Sequence, residues 1–292
     1  MKERVVRIAT RASELALWQA EYVGKLLGLP YELIKVKTRA DADLSLSLKD
    51  FSGQGVFVKE VQQAVLAGAA DLAVHSAKDL PTQQLDSLVL AAILERSDPR
   101  DVLVGTPFRK LPKGARVGTS APRRQAMLRR KRPDLEFVEI RGNIQTRLDK
   151  GRALDAVVVA KAALDRLGLA DRIAYVFEPD ELCPQVGQGA LAIECRANDI
   201  ELVGWLAEKC HADTYLAVRA ERSLLAQLGS GCSIPVGAYA TRAAGRLHLY
   251  GIVASLSGET AIEATGSGDD PESLGIQVGN RLLDQGALSL IE

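Results

Sequence analysis

The 292-residue sequence has no apolar run long enough to cross a bilayer, so no membrane partner is expected. Its start, Met1-Lys2-Glu3-Arg4-Val5-Val6, lacks the pattern of a secretory leader and runs straight into a strand-like stretch. Cysteine is confined to Cys183, Cys195, Cys210 and Cys232, scattered without paired spacing. That scatter speaks against a zinc site and a disulfide framework, and for a reducing cytoplasm. The three histidines, His75, His211 and His248, are equally dispersed, and no metal is expected. Neither G-x-G-x-x-G nor the phosphate loop G-x-x-x-x-G-K followed by Ser or Thr occurs, which disfavours a nucleotide enzyme. Aromatic residues make up 4% of the chain. Only Phe108 and Phe137 fall among the densest arginines, too few for the base-stacking platforms of a nucleic-acid binder.

What is present is the composition of a soluble globular protein, 47% hydrophobic and 25% charged. The length exceeds what one core usually serves, so two or three domains are expected. The formal net charge of zero hides an asymmetry: residues 109–152 carry fourteen Lys/Arg against four Asp/Glu, and residues 178–209 seven acids against two bases. One concentrated basic segment in a neutral chain points to a local anionic ligand rather than a long polyanion.

Residues 4–10 read as a strand that runs through Arg11-Ala12-Ser13 into a helix with Leu15, Trp18, Tyr22 and Leu26 on one face. Ser13 is the expected N-cap. Arg11 thus falls at a strand-to-helix turn, where free N–H groups favour anions; a solvated surface charge fits equally well. Residues 31–37 complete a β-α-β start and open a parallel sheet. Residues 38–55 break the pattern, as a mobile functional loop or a disordered one does. A helix over 56–67, closed by Gly68, precedes a strand at 72–74 that enters His75-Ser76-Ala77-Lys78-Asp79-Leu80-Pro81. Ligands gather at the carboxyl ends of strands in such sheets. Lys78 beside Asp79 is either a solvated pair or a candidate acid/base.

Residues 88–94 form another strand, and Asp98-Pro99-Arg100-Asp101 crosses to a second domain. A strand at 115–118 enters Thr119-Ser120-Ala121-Pro122-Arg123-Arg124-Gln125, a helix start suited to carboxylate or phosphate. Strand 135–140 leads to Arg141-Gly142-Asn143 and a short helix with Arg147; strand 155–160 leads to a helix with Arg166. The arginines therefore recur just after strands or on first helical turns. Singly each reads as a surface charge; together Arg11, Arg123, Arg124, Arg141, Arg147 and Arg166 suit one cleft and a ligand with several carboxylates, which guanidinium forks bind bidentately. Residues 178–184 are an acidic linker, and Val186-Gly187-Gln188-Gly189-Ala190 turns into a strand at 191–195 that returns to the first domain. Helices over 200–209 and 212–228 lead to Cys232, and strands at 236–240, 247–254 and 260–265 with a final helix over 271–284 follow in a smaller α+β domain. At its first loop, Leu228-Gly229-Ser230-Gly231-Cys232-Ser233-Ile234-Pro235-Val236-Gly237 sets a thiol among glycine and serine. A small buried cysteine and an accessible nucleophilic or cofactor-carrying thiol both fit this stretch.

Taken in order, Leu17-Trp18-Gln19-Ala20, Phe57-Val58-Lys59-Glu60, Ala73-Val74-His75-Ser76-Ala77-Lys78-Asp79, Asp98-Pro99-Arg100-Asp101, Val117-Gly118-Thr119-Ser120, Arg123-Arg124-Gln125, Arg141-Gly142-Asn143, Thr146-Arg147-Leu148, Val186-Gly187-Gln188-Gly189-Ala190 and Gly231-Cys232-Ser233-Ile234-Pro235-Val236-Gly237 make the chain resemble the porphobilinogen deaminase family along nearly its whole length. The resemblance implies two α/β domains like the halves of a periplasmic binding protein, plus a small C-terminal α+β domain. The boundaries are 1–95, completed by about 187–207, then 96–186 and 208–292. It implies a transferase that joins four porphobilinogen molecules head to tail with loss of ammonia. The primer is a dipyrromethane cofactor bound through Cys232. By the same resemblance, Asp79 and Lys78 are catalytic. Cofactor contacts fall to Asp79, Lys78, Ser13, Thr119, Ser120, Arg123, Arg124, Arg141, Gly142 and Gln188. Substrate contacts fall to Arg11, Gln19, Arg141, Arg147 and Arg166. A cytoplasmic monomer that hands its product to uroporphyrinogen III synthase is expected, with no exposed apolar helix stripe calling for an oligomer.

The family's usual pattern is broken by Ala40, Gln54, Ala121, Ala163 and Ser230, where glycine, lysine, serine, glycine and glycine are common. Two rivals compete: a non-catalytic two-lobed binder of an anionic ligand, and a nucleic-acid binder using the basic segment. Neither needs a modified thiol on the last domain. Intact-mass measurement is expected to find an adduct of dipyrromethane size on Cys232 in protein from haem-competent cells; an unmodified mass overturns the cofactor reading.

Overall fold

The computed structural model describes residues 4–37, 58–229 and 234–291. The 38–55 stretch, with Ala40 and Gln54, lies outside the described residues, as do Ser230, Gly231 and Cys232. Alternating side chains along each strand decide which helices cover which face of the sheets.

The strands run β1 (Val6–Arg11), β2 (Tyr31–Val36), β3 (Leu72–Ser76), β4 (Leu88–Ile93), β5 (Asp101–Gly105), β6 (Arg116–Gly118) and β7 (Glu136–Val138). They continue as β8 (Ala156–Ala160), β9 (Ile173–Val176), β10 (Leu191–Arg196), β11 (Val236–Ala243), β12 (Arg246–Ala254) and β13 (Ala261–Gly268). The described α-helices are α1 (Glu14–Leu27), α2 (Lys59–Leu66), α3 (Pro122–Lys131), α4 (Ile144–Lys150), α5 (Lys161–Arg166), α6 (Ile200–Ala207), α7 (Ala212–Gln227) and α8 (Pro271–Asp284). Two compact units result, Met1–Arg96 with Ala190–Tyr215, and Ser97–Gly189 with Leu216–Glu292.

The first unit holds a five-stranded sheet in the order β2-β1-β3-β10-β4. β1 is parallel to β2 and β3, whereas β10 is antiparallel to both β3 and β4. Val6, Ile8, Leu72, Val74 and Ile193 pack with residues of α1 and α6 on one face. Ala9 and Ala73 face Val61 and Val65 of α2 on the other. The second unit holds a mixed sheet ordered β7-β6-β8-β5-β9 and an antiparallel sheet β11-β12-β13. Leu103, Val117 and Val158 pack on Met127 and Leu128 of α3, and Ile252 of β12 joins the same cluster. α7 and α8 cover the antiparallel sheet through Ala220, Leu224, Leu274, Val278 and Leu282. This is the expected class, two mixed α/β sheets and a smaller C-terminal sheet with helices.

Local signals hold closely. Ser13 caps α1 by accepting from the Ala16 N–H, Pro122 opens α3, and Pro271 opens α8. The expected face of α1 does not. Its buried residues are Gln19, Ala20, Val23, Gly24 and Leu27, while Tyr22 and Leu26 stay 45% and 42% exposed. Trp18 stacks on Tyr22 at 5.3 Å. Close approach selects the small residues: a Cβ on Gly24 would lie 2.7 Å from the Tyr31 ring. Of that expected face, Tyr22 and Leu26 are exposed, whereas Leu15 and Trp18 are half-buried.

Asp71 ties the first unit together. Arg4 Nη2 and Arg7 Nη2 donate to its Oδ1 at 3.0 and 2.9 Å, and the Arg7 N–H donates to Oδ2 at 2.9 Å. Burial pushes its carboxyl up, but hydrogen bonds from Arg7 and Arg4 outweigh this and hold it at about 2 instead of 3.8. A depressed acid contributes stability above its unfolded value and loses it as pH falls through the folded one. Asp71→Asn is therefore expected to lower stability at pH 7 by roughly 1–2 kcal/mol. The gap from the unsubstituted protein, measured by thermal unfolding, should close as pH falls from about 4 to 2.

Candidate functional site

In the first unit the carboxyl ends of β1 and β3 carry the residues of interest. Arg11 is the last residue of β1, paired in register with Val36. Ser13 follows as the cap of α1, its hydroxyl 3.4 Å from the Ala16 nitrogen. β3 runs into a single 3-10 turn, Ala77–Asp79, closed by the Leu80 N–H donating to the Ala77 carbonyl at 3.3 Å. Lys78 and Asp79 on this turn are half-buried. Among the described residues nothing hydrogen-bonds to or ion-pairs with the Asp79 carboxylate. Gln19, buried on α1, donates through Nε2 to Ser76 Oγ at 3.0 Å, so the helix is latched to the strand end just before the turn. Ser76 belongs to the His75-Ser76-Ala77-Lys78-Asp79 run that the sequence places at a strand end, but its bond to Gln19 joins residues 57 apart and has no local signal.

In the second unit, β6 leads into Thr119 and Ser120 and then α3. Thr119 is buried, with its hydroxyl oxygen accepting from the Ala121 N–H at 3.3 Å. Ser120 donates its hydroxyl to the Ile140 carbonyl at 2.8 Å. Ala121, the N-cap position, makes no side-chain cap. Arg123 and Arg124 are only 4% and 6% exposed, and between them stands Asp101, the first residue of β5, which is fully buried. Arg123 Nη2 donates to Oδ2 of Asp101 at 2.7 Å, and Arg124 Nη2 to Oδ1 at 2.7 Å. Their other Nη1 groups donate to the carbonyls of Cys183 at 2.5 Å and Val158 at 3.0 Å. Gln188 Nε2 reaches Asp101 Oδ1 at 3.0 Å and the Pro99 carbonyl at 2.7 Å. Burial works against ionisation of Asp101, but the two guanidinium charges and their hydrogen bonds prevail and hold its carboxyl well below the usual range. Burial also pulls Arg124 down, with Asp101 opposing and the neighbouring Arg123 adding to the fall; a guanidinium remains charged all the same.

Arg141 and Arg147 flank a tight turn. Gly142 has φ +115°, and a Cβ there would lie 2.7 Å from Thr146 Cγ2, so the position suits glycine alone. Asn143 caps α4 by accepting from the Thr146 N–H at 2.9 Å. Arg147 Nε donates to the Gly142 carbonyl at 2.8 Å, and Arg141 Nη2 lies 3.4 Å from Glu139. Arg166 departs from the expected first helical turn: it is the last residue of α5. Its Nη2 donates to the Gly189 carbonyl at 2.7 Å and to Ser97 Oγ at 3.1 Å. It thereby joins the two points where the chain enters and leaves this part of the second unit.

Much of the basic segment has partners of its own. Arg130 pairs with Glu263, Arg132 with Asp134 and Arg152 with Asp149. Arg129 sits 4.9 Å over the Phe137 ring, and Phe108 packs edge-on to Phe177. The two aromatics among the arginines thus have partners within the chain. Among the described residues, no cluster of His, Cys, Asp and Glu is arranged to hold a metal ion, and no helix is long and apolar enough to cross a membrane.

Comparison with known proteins gives two adjoining matches. Residues 6–203 match the family model described as porphobilinogen deaminase, dipyromethane cofactor binding domain, and residues 215–284 match its C-terminal domain. The porphobilinogen deaminase of Pelobacter propionicus is 46% identical over 303 residues, covering 100% of this chain and 98% of that protein. The one from Geobacter metallireducens is 45% identical over 302 residues, covering 100% and 95%. Among solved structures, a periplasmic domain of BvgS from Bordetella pertussis aligns with 70% of this chain and 86% of its own at 20% identity and a TM-score of 0.41. Since the cofactor-binding model spans more than half of the residues and relatives align from end to end, this chain belongs to the porphobilinogen deaminase family.

Proposed function

We propose that this chain joins four molecules of porphobilinogen, releasing one ammonia at each addition, to give the linear tetrapyrrole hydroxymethylbilane on a dipyrromethane primer bound through Cys232. The observation that carries this reading is the cofactor-binding family match over residues 6–203. When bound, the cofactor supplies a covalently fixed pyrrole end for chain growth. Cys232 itself lies outside the described residues.

The donor set fits such a group. Each porphobilinogen unit carries an acetate and a propionate, so the ligand is polyanionic and calls for several cations. In the second unit two buried guanidiniums share a single carboxylate, which leaves positive charge for an anion to match. Arg123, Arg124, Arg141 and the Thr119, Ser120 and Gly142 positions are assigned to cofactor carboxylates, with Gln188 supporting them. Arg11, Gln19, Arg147 and Arg166 are assigned to the incoming substrate, and Lys78 and Ser13 to carboxylates beside Asp79. Each charged hydrogen bond contributes about 1.5–3 kcal/mol.

Asp79 performs the acid/base work. Its carboxylate accepts from pyrrole N–H groups, offsets the positive charge that develops as the amine departs, and moves protons during coupling. A chain acting alone in the cytoplasm, divided into domains at about 95 and 207 and passing its product to uroporphyrinogen III synthase, completes the reading.

Asp79→Asn is expected to keep the cofactor adduct by intact mass while turnover falls by roughly 10²–10⁴-fold. Near-normal turnover in that variant removes Asp79 from the mechanism. Arg141→Ala and Arg147→Ala are expected to stall elongation or block cofactor assembly, seen as altered enzyme-bound intermediates by mass spectrometry. An unchanged set of intermediates removes them from the carboxylate cradle.

A further inference from the structure

Asp101 lies in a run that the sequence reads as a simple crossover, yet two residues assigned to ligand binding are built on it. We propose that Asp101 is a positioning residue for cofactor binding: it sets the angle between the Arg123 and Arg124 guanidiniums and leaves one of their two charges for a ligand carboxylate. This rests on the reading above that those arginines hold cofactor carboxylates.

The geometry carries the first half. Oδ2 of Asp101 takes Arg123 at 2.7 Å, and Oδ1 takes Arg124 through Nη2 at 2.7 Å and Nε at 3.2 Å. One arginine per oxygen means that the carboxylate plane dictates where both forks lie. The carboxylate is fixed in its turn, because Gln188 bridges Oδ1 to the Pro99 carbonyl. An arginine stem free to choose among rotamers would lose much of its binding energy to ordering; here that ordering is complete before any ligand arrives.

Charge carries the second half. Two guanidiniums face one carboxylate in a buried place, and their remaining hydrogen-bond partners among the described residues are the neutral carbonyls of Cys183 and Val158. A trio with net charge +1 in a low-dielectric site is costly unless an anion completes it. A carboxylate of the ligand supplies that anion. A neutral side chain at position 101 would leave two uncompensated cations that repel each other and spread apart. A second acid would cancel the attraction altogether.

The test uses full-length protein made in cells unable to synthesise porphobilinogen. Increasing porphobilinogen is added, and covalent loading of Cys232 is followed by intact mass. Asp101→Asn is expected to raise the half-loading concentration about tenfold, equivalent to about 1.4 kcal/mol, and to reach full loading at high concentration while its circular dichroism stays that of the unsubstituted protein. Extra ligand overcomes misplaced donors but does not mend a damaged fold. Loading of this variant at the unsubstituted concentration overturns the positioning role. Arg123→Ala and Arg124→Ala run alongside: if both load normally, the assignment of these arginines to the cofactor fails and takes the inference with it. If they fail to load while Asp101→Asn loads normally, only the inference fails. Should the asparagine variant not fold, Asp101→Glu decides, because it keeps the buried charge but displaces the carboxylate by one methylene. A raised half-loading concentration supports the role, and an unchanged one overturns it.

Discussion

A single carboxylate, that of Asp101, holds together three stretches far apart in the sequence: the start of β5, the first turn of α3 and the segment 183–188. Because all of its partners are buried, none of these contacts is screened by water, and the loss of one partner would strand charge in the interior. Breaking such an arrangement typically costs about 3–5 kcal/mol, more than one apolar contact in the same core. The same return segment is gripped from the other side. Glu221 of α7, also fully buried, accepts from the Gly187 N–H at 2.7 Å and the Ala240 N–H at 2.8 Å. The Cys183 carbonyl, the Gly187 amide and the Gly189 carbonyl are thus each held by a charged side chain.

These contacts sort the six arginines that the sequence pattern groups together. Arg123 and Arg124 have a buried acid as principal partner, and Arg166 braces two pieces of backbone at Ser97 and Gly189. Arg11, Arg141 and Arg147 stand at strand ends or a turn with partial exposure. Position along an element is local information, and the sequence reveals it. The identity of a partner is not local: Asp101 lies 22 residues from Arg123, and Gly189 lies 23 from Arg166. No periodicity spans such gaps. The one local hint was an acid opening an otherwise apolar strand, Asp101-Val102-Leu103-Val104, where burial requires that it be paired.

The fold was legible to the same extent and for the same reason. Helix starts at Ser13, Pro122 and Pro271, the glycine stop at Gly68 and the three C-terminal strands all follow from short-range chemistry. The buried face of α1 did not. Leu15, Trp18, Tyr22 and Leu26 form the more hydrophobic stripe, yet the sheet takes Ala20, Val23 and Gly24 because Tyr31 stands where a larger residue would collide. Hydrophobicity ranks what can be buried, while steric fit to a strand distant in sequence decides what is. The insertion of β10 antiparallel between β3 and β4 is a further long-range outcome.

The contrast among the acids bears on Asp79. Asp71, Asp98 and Asp101 are each gripped by arginine, and their carboxyls are held below the ordinary range even though burial works the other way. Lone pairs occupied by fixed guanidiniums are poor at exchanging protons with a ligand, so those acids suit structural work. Asp79 sits on one turn of 3-10 helix at a strand end, partly exposed, with the Gln19–Ser76 latch fixing the backbone just before it. Among the described residues its oxygens are not claimed by any donor. A carboxylate with a fixed backbone and available lone pairs is what accepting pyrrole N–H groups and shuttling their protons requires. On the proposed reading, Asp79 is thus suited to chemistry, whereas the more deeply buried and better-paired Asp101 ties its three stretches together and aims the arginines around it.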